Sequence, residues 1–296
     1  MVQRTLADNY SDLGVVMDVI DSSRQELVIE AGSSPRQYAG EVWKYKSLMF
    51  ILSWRDIKVR FKQTVIGTAW ALLRPLLTLI ILTVVFSKIA RLPSEGDAPY
   101  VLLVLSGLLP WQFFAAGLSD AANSVTDNEK IVSKIYFPRL VIPLSALAVC
   151  LVDFSISLLI LVCIFAFYQY IPDWHLLALP IVLIFAILVV LGPGLMLAAL
   201  NVKYRDFRYV VPFIVQMGIY VSPVAYSTSL IPEAWRTLYY LNPMAGLIDS
   251  FRWVVLGSDF VPWWPGVGLS LSVSLVLLAA GVLYFRATER SFADNI

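Results

Sequence analysis

The side chains able to do covalent chemistry are few and scattered. The single histidine, His175, stands beside Trp174, where an interfacial position accounts for it better than catalysis does. Cys150 and Cys163 share one apolar stretch. Their spacing puts them about 220° apart on a helix, so they cannot pair within it. No disulfide framework or metal cluster is visible in the sequence. No glycine is followed by lysine, which excludes the phosphate-cradling loop GxxxxGK[ST]. The HExxH, CxxC and GxSxG patterns are absent too. Outside the apolar stretches, Glu95, Asp97, Asp173, Glu233, Asp249 and Asp259 make a thin set for a metal-dependent transferase. The chain is expected to have no catalytic residues, no metal and no cofactor of its own.

Two ionisable residues interrupt apolar segments, and such residues cost at least about 2.5–3.5 kcal/mol at a bilayer centre. Asp153 lies mid-segment in LVDFSISLL and is expected to face other helices and find a donor. Arg74 lies about eight residues, or about 12 Å, into its segment. It either snorkels to the headgroups or contacts an anionic, lipid-linked headgroup such as a diphosphate.

The elements that position these residues follow from composition. Of 296 residues, 59% are hydrophobic and 15% charged, and the mean hydropathy is +0.75. A soluble domain carries roughly 45–50% apolar and about 25% charged residues. Most soluble enzymes, disordered proteins and nucleic-acid binders are excluded, and a net charge of +1 gives no general affinity for polyanions. The first 20 residues include Asp8, Asp12 and Asp18 and no apolar core, so insertion through internal spans is expected. A spanning helix needs about 20 mainly apolar residues. Six such segments are read, at 66–88, 98–118, 140–169, 176–200, 209–228 and 263–285. The run 237–248 is too short to span and contains Asn242-Pro243, which suits a re-entrant or interfacial hairpin packed on protein.

Lys and Arg set the orientation. Seventeen fall on the side that holds both termini, and four (Lys88, Arg91, Arg236, Arg252) on the other. Both termini are therefore expected in the cytoplasm, with 228–260 as the largest external segment. Residues 1–42 read as a polar cytoplasmic tail. Residues 43–65 read as an amphipathic helix at the cytoplasmic interface. Trp43, Phe50, Trp54, Ile57 and Phe61 fall within about 60° of one another, with Lys44, Arg55, Lys58 and Lys62 on an adjacent face. The loop 119–139 mixes Asp127, Glu129, Lys130 and Lys134 with Ile131, Val132 and Ile135, the pattern of one amphipathic turn.

Four stretches carry a family resemblance: RDIKVRFKQTVIGTAWALLRPLL (55–77), EKIVSKIYFPRLVIPL (129–144), NVKYRDFRYVVPFIVQMGIYVSPVAY (201–226) and LNPMAGLIDSFRWVVLG (241–257). Together they resemble the membrane subunit of type-2 ABC exporters, and within that group the permeases for O-antigen, capsule and teichoic acid. The resemblance covers roughly 43–290. It implies an all-α integral membrane protein: an N-terminal interface helix, a six-span permease domain over 66–290, and a re-entrant external hairpin before the last span. It further implies a homodimeric channel in the inner (plasma) membrane that works with two ATP-binding subunits, which hold ATP and Mg2+. Carried over residue by residue, Glu129, Lys130, Lys134, Tyr136, Phe137 and Arg139, with Arg55 and Asp56 beside them, form the surface that couples to the ATPase. The family implies an aromatic-lined conduit and a lateral opening between the first and fifth spans. Candidates for conduit or headgroup contact are Trp70, Arg74, Trp111, Phe113, Phe114, Tyr220 and Tyr226. Candidates at the external hairpin are Tyr239, Tyr240, Asn242 and Arg252, with Trp235, Trp253, Trp263 and Trp264 near the exit.

The reading is a permease moving lipid-linked polysaccharide outward. The same architecture could export a small molecule or lipid. A membrane-embedded glycosyl- or acyltransferase would need an acid, base or metal constellation, and none is visible. A secondary transporter would have only Asp153 as a proton relay. No nucleic-acid partner is expected.

Overall fold

In the computed structural model of the protein, residues 35–62, 67–94, 96, 98–134, 137–204, 206–289 and 292 are described. The chain divides into two units, Met1–Glu41 and Val42–Ile296. Of the first, the described part is the opening of α1 (Pro35–Lys44). The second holds α2 (Lys46–Lys62), α3 (Gly67–Thr83) with a π turn at Val84–Ile89, α4 (Tyr100–Asp127), the single turn α5 (Glu129–Val132), α6 (Val141–Tyr168), α7 (Leu179–Lys203), α8 (Phe207–Val221), α9 (Glu233–Tyr239), α10 (Pro243–Leu256) and α11 (Trp264–Thr288). No strand occurs among the described residues.

Among the described residues, four helices are long and apolar enough to cross a bilayer: α4, α6, α7 with its leading turn from Trp174, and α11. Two further apolar helices, Pro75–Ile89 and Phe207–Val221, are shorter. At 15 residues α8 extends about 22 Å, less than the roughly 30 Å hydrocarbon core. The fifth expected span is thus a short helix, whereas α3 with its π turn runs unbroken over 67–89.

Several expected boundaries move. The segment ending at 118 continues as helix to Asp127. The helix accommodates its polar residues, because Ser119, Asn123, Ser124 and Thr126 each donate to a carbonyl three or four residues back. The expected loop 119–139 therefore shrinks to the stretch after Asp127. The fifth segment stops at Val221 instead of 228, where Ser222-Pro223 leaves helical geometry. The helix expected from Trp43 onward breaks at Tyr45, which places Trp43 on α1 and the other aromatics on α2.

The bundle is built around α4. Its most apolar window is 78% buried, against 33% for α6 and α7 and 22% for α11. The outer helices show aliphatic and aromatic side chains such as Leu159, Val162, Phe167, Ile181, Ile184, Val276 and Leu283. A water-facing surface would not carry that load, and a lipid-facing one does. The helices meet through small residues where they cross most closely. A Cβ on Gly281 of α11 would overlap the Gly192 carbonyl of α7, and a Cβ on Gly192 would lie 2.7 Å from the backbone of Leu277 and Leu278. Close crossings of this kind replace the hydrophobic drive that helices lose in lipid. Gly281→Ala is expected to lower the thermal unfolding midpoint of the detergent-purified protein by the equivalent of about 1–3 kcal/mol, an overpacking cost. Gly268→Ala, on the same helix with nothing within 4 Å of its Cβ, should leave the midpoint unchanged or raise it. Equal shifts in the two variants would contradict the crossing.

Candidate functional site

Two polar constellations sit at opposite ends of α4. At the end carrying α5, four contacts fix the path of α2. Ser53 Oγ donates to the Ser145 carbonyl of α6 at 3.2 Å, and Arg60 reaches Asp153 farther along α6. Arg55 Nη2 donates to Asn128 Oδ1 at 2.8 Å, and Arg60 Nη2 lies 3.3 Å from Asp120 Oδ2 on α4. Rising numbers on α2 meet rising numbers on α6 and falling numbers on α4. The helix expected to lie flat at an interface therefore runs lengthwise along α6, and it reaches α4 and its end at Asn128 through the side chains of Arg60 and Arg55. Leu52 on its inner face joins a buried cluster with Phe137, Val141 and Ile142. Its outer face presents Phe50 stacked on Trp54, with ring centroids 6.3 Å apart and Lys58 Nζ 5.3 Å from the Trp54 ring. Aromatic rings beside ammonium groups suit the headgroup region.

Asp153 has the donor expected for it, and that donor is Arg60. Cys150 is buried and Cys163 exposed, and both are free. Around α5, Glu129, Lys130 and Lys134 are exposed, and Arg55 is paired with Asp56 at 2.7 Å. Phe137 is not a surface residue: it is 3% exposed and anchors the loop in the cluster around Leu52. Arg139 ties the loop to the end of α11 by donating to the Glu289 carbonyl at 2.5 Å. Tyr136 and the side chains of Phe61, Trp70 and Arg74 lie outside the described residues.

The other end is organised by α10. Asn242 caps it, accepting from the Met244 amide at 3.0 Å and donating to Ser222 Oγ at 3.0 Å. Asp249 and Arg252 on α10 are both fully buried, 3.8 Å apart. The Asp249 carboxylate accepts from Thr228 at 2.8 Å and from the Tyr240 hydroxyl. Arg252 donates to the carbonyls of Pro223 (2.5 Å), Val224 (3.1 Å) and Tyr226 (2.9 Å). These carbonyls belong to the irregular segment after α8. Gly107 of α4 leaves the room for it, since a Cβ there would overlap the Val224 carbonyl. The Tyr239 and Tyr226 hydroxyls meet at 2.9 Å. Nearby, Tyr170 donates to the Leu256 carbonyl at 2.8 Å and to Asp259 at 3.1 Å. Burial, then the Asp259 carboxylate, pushes the Tyr170 hydroxyl above its ordinary pKa. His175 sits between Trp174 and Trp253, at ring distances of 4.4 and 4.7 Å.

The aromatic candidates divide accordingly. Trp111 and Phe114 do not face a conduit within this chain. They are 4% and 8% exposed, packed on each other at 5.4 Å, and Trp111 presses against Gly218 of α8. Phe113 is also core. Tyr240 and Arg252 are buried structural partners, and Asn242 is a cap. Tyr220, at 69% exposed, faces outward, and α8 carries Tyr209 and Phe213 on the same side at 81% and 61%. With the exposed Gln216, these residues recur at i, i+4, i+7 and i+11, within about 60° of one another. That stripe was legible in the sequence and was missed, as were Asp120, Arg60, Thr228 and Asp249 as partners. Beside Tyr220, a cavity of about 130 Å³ opens between α3 and α8, lined by Leu82, Phe86, Ile219, Tyr220, Val224, Ala225 and Tyr226.

The model of the ABC-2 type transporter family matches residues 47–256. The chain belongs to this family. The match begins in α2 and ends with α10, so it takes in both constellations of this ABC-2 transporter apart from the contacts to Asp259 and Glu289. The chain is 29% identical over 258 residues to an O-antigen export system permease protein RfbA from Myxococcus xanthus, covering 86% of this chain and 98% of the relative. A Klebsiella pneumoniae protein with the same name is 27% identical, covering 83% and 94%. The polysialic acid transport protein KpsM of Escherichia coli is 23% identical, covering 81% and 93%. Family and apolar helices together make this ABC-2 transporter a multi-pass membrane protein with a transport role.

Arg252→Met should destabilise the transporter by about 3–5 kcal/mol, the cost of stranding a buried partner charge, and should expose three backbone carbonyls as well. Arg252→Met with Asp249→Leu should recover part of the loss, read as the unfolding midpoint in detergent. A double variant less stable than the single one would contradict this account of the pair.

Proposed function

We propose that the chain is the permease subunit of an ATP-driven exporter that moves a lipid-linked, O-antigen-like polysaccharide outward across the inner membrane. The observation that carries this reading is the exposed stripe on α8: Tyr209, Phe213, Gln216 and Tyr220. A helix turned wholly to lipid needs only aliphatic residues there. Rings with an amide among them fit a carbohydrate, whose CH faces pack on aromatics while its hydroxyls find polar tips. The names of the relatives, O-antigen export permease and polysialic acid transport protein, support the polymer class.

In this reading two copies pair across the α8 stripes to form the conduit. Six spans, with α3 and its π turn as the first and the short α8 as the fifth, put both termini in the cytoplasm. The turn and helices over 228–260 form the external hairpin. The cavity between α3 and α8 marks the lateral route for the lipid-linked end. Two ATP-binding subunits hold ATP and Mg2+, and they dock at Glu129, Lys130 and Lys134 with Arg55 and Asp56 alongside. Phe137 and Arg139 hold that tip to the bundle. Closure of the ATPase dimer pushes the tip and α2, and the two permease copies shift to open the conduit.

The test is coexpression with the product of the adjacent reading frame and purification through a tag on this chain. A stoichiometric ATPase subunit, ATP hydrolysis and polymer movement in proteoliposomes are expected. A chain that purifies alone, with no hydrolysis beside any candidate partner, would sink the reading. Tyr209→Ala with Phe213→Ala and Tyr220→Ala should cut polymer export at least roughly tenfold, given about 1 kcal/mol or so per aromatic contact, while ATPase binding persists. Lys130→Glu with Lys134→Glu should abolish ATPase capture and leave membrane insertion intact. Normal capture in that double variant would remove the coupling role.

A further inference from the structure

We propose that Arg60 is the pin that transmits motion from the α5 tip to the long helices, by clamping the second half of α2 between α4 and α6. This rests on the exporter reading above. Among the side chains described, the buried ones on α2 lie in its first half. Leu52 and Ser53 are buried there, but no residue from Trp54 to Arg60 is. What holds that second half is polar. One guanidinium faces two carboxylates from two helices, Asp120 of α4 at 3.3 Å and Asp153 of α6. Asp120 is itself steadied by the Cys150 thiol, which donates to it at 3.3 Å.

The second tie lies toward the tip. Arg55 donates to Asn128, which ends α4 and begins α5 and also donates to the Ser124 carbonyl at 2.9 Å. A push on α5 thus meets α2 at Arg55 and is delivered to both long helices at Arg60, about 7–8 Å farther along α2. The fork of a guanidinium is what lets one side chain serve two carboxylates at once. An ammonium at this position reaches them as a point charge. Arg60 is therefore a positioning residue that acts through Asp120 and Asp153.

The test uses the full complex with its ATP-binding subunit in proteoliposomes. Arg60→Ala should keep ATPase capture and hydrolysis but lower export roughly tenfold or more, within the about 5–150-fold range of coupling between sites. Arg60→Lys should fall between, and Arg60→Asp with Asp153→Arg should restore export in part. A second readout needs no polymer. Nitroxide labels at Val59→Cys on α2 and Ser155→Cys on α6, in a Cys163→Ser background, should give one narrow distance with and without a non-hydrolysable ATP analogue. Arg60→Ala should broaden it and the charge swap should narrow it again. If Arg60→Ala fails to assemble, Arg60→Lys and the swap are judged by the same criteria. Wild-type export by Arg60→Ala, or an unchanged distance distribution, overturns the pin. Absence of polymer export in the unmodified complex overturns the exporter reading instead, and the distance measurement still decides the pin.

Discussion

Backbone carbonyls that leave a helix inside an apolar bundle must be given donors, and that constraint shapes the hairpin end of this protein. The chain breaks after Val221 because Pro223 cannot continue the ladder. Three of the carbonyls that follow are taken by one side chain, Arg252. A guanidinium buried this deeply needs a counter-charge, and Asp249 stands one turn away on the same helix. Asp249 in turn draws Thr228 and Tyr240 to it. The short turn at Thr228, the end of α9 and the whole of α10 are thereby fixed to the break. The glycine at 107 is the matching concession from α4, which gives the segment somewhere to lie.

How legible this was depended on the kind of signal. Apolar length marked α3, α4, α6, α7, α8 and α11, because hydropathy needs no knowledge of neighbours, but not the polar or short helices α1, α5 and α9. Helix ends were less visible. The 118 boundary was set by the onset of polar residues, yet Ser119, Asn123, Ser124 and Thr126 return their hydrogen bonds to their own helix, which continues through them. For Asp153 the need for a donor could be argued from cost alone, but the donor's identity could not. Arg60 lies 93 positions away on an element read as a surface anchor. The pair Asp249 and Arg252 was read as an external carboxylate and a hairpin cation. Its burial depends on the rest of the bundle closing over α10, which no local pattern encodes.

The aromatics teach the same point in reverse. Trp111, Phe114 and Tyr220 looked alike as candidates for a conduit, since composition does not say which way a ring turns. Trp111 and Phe114 sit on α4, the most buried of the four long apolar helices, so their rings fill the core. Tyr220 sits on α8, a short helix at the rim, so its ring remains open. The period of Tyr209, Phe213, Gln216 and Tyr220 puts them on one face of α8, with Phe213 and Gln216 between the two end tyrosines.

The two polar constellations are joined by a single rigid element. α4 is one 28-residue helix, and it touches the hairpin end at Gly107 and the α5 end at Asp120 and Asn128. Those contacts are about 20–30 Å apart along the axis. A helix buried on nearly every side cannot bend locally without opening its neighbours, and packed interiors resist that. Displacement imposed at Asn128 would therefore arrive at Gly107 as displacement of the Val224 carbonyl that rests on it. That carbonyl is one of the three held by Arg252, at the segment that lines the cavity between α3 and α8. The bond network at one end and the charge clasp at the other are then two fixings of the same rod. Tyr100 of α4 strengthens the tie at the hairpin end by donating to the Ala225 carbonyl at 2.5 Å, beside the Val224 carbonyl that Arg252 holds.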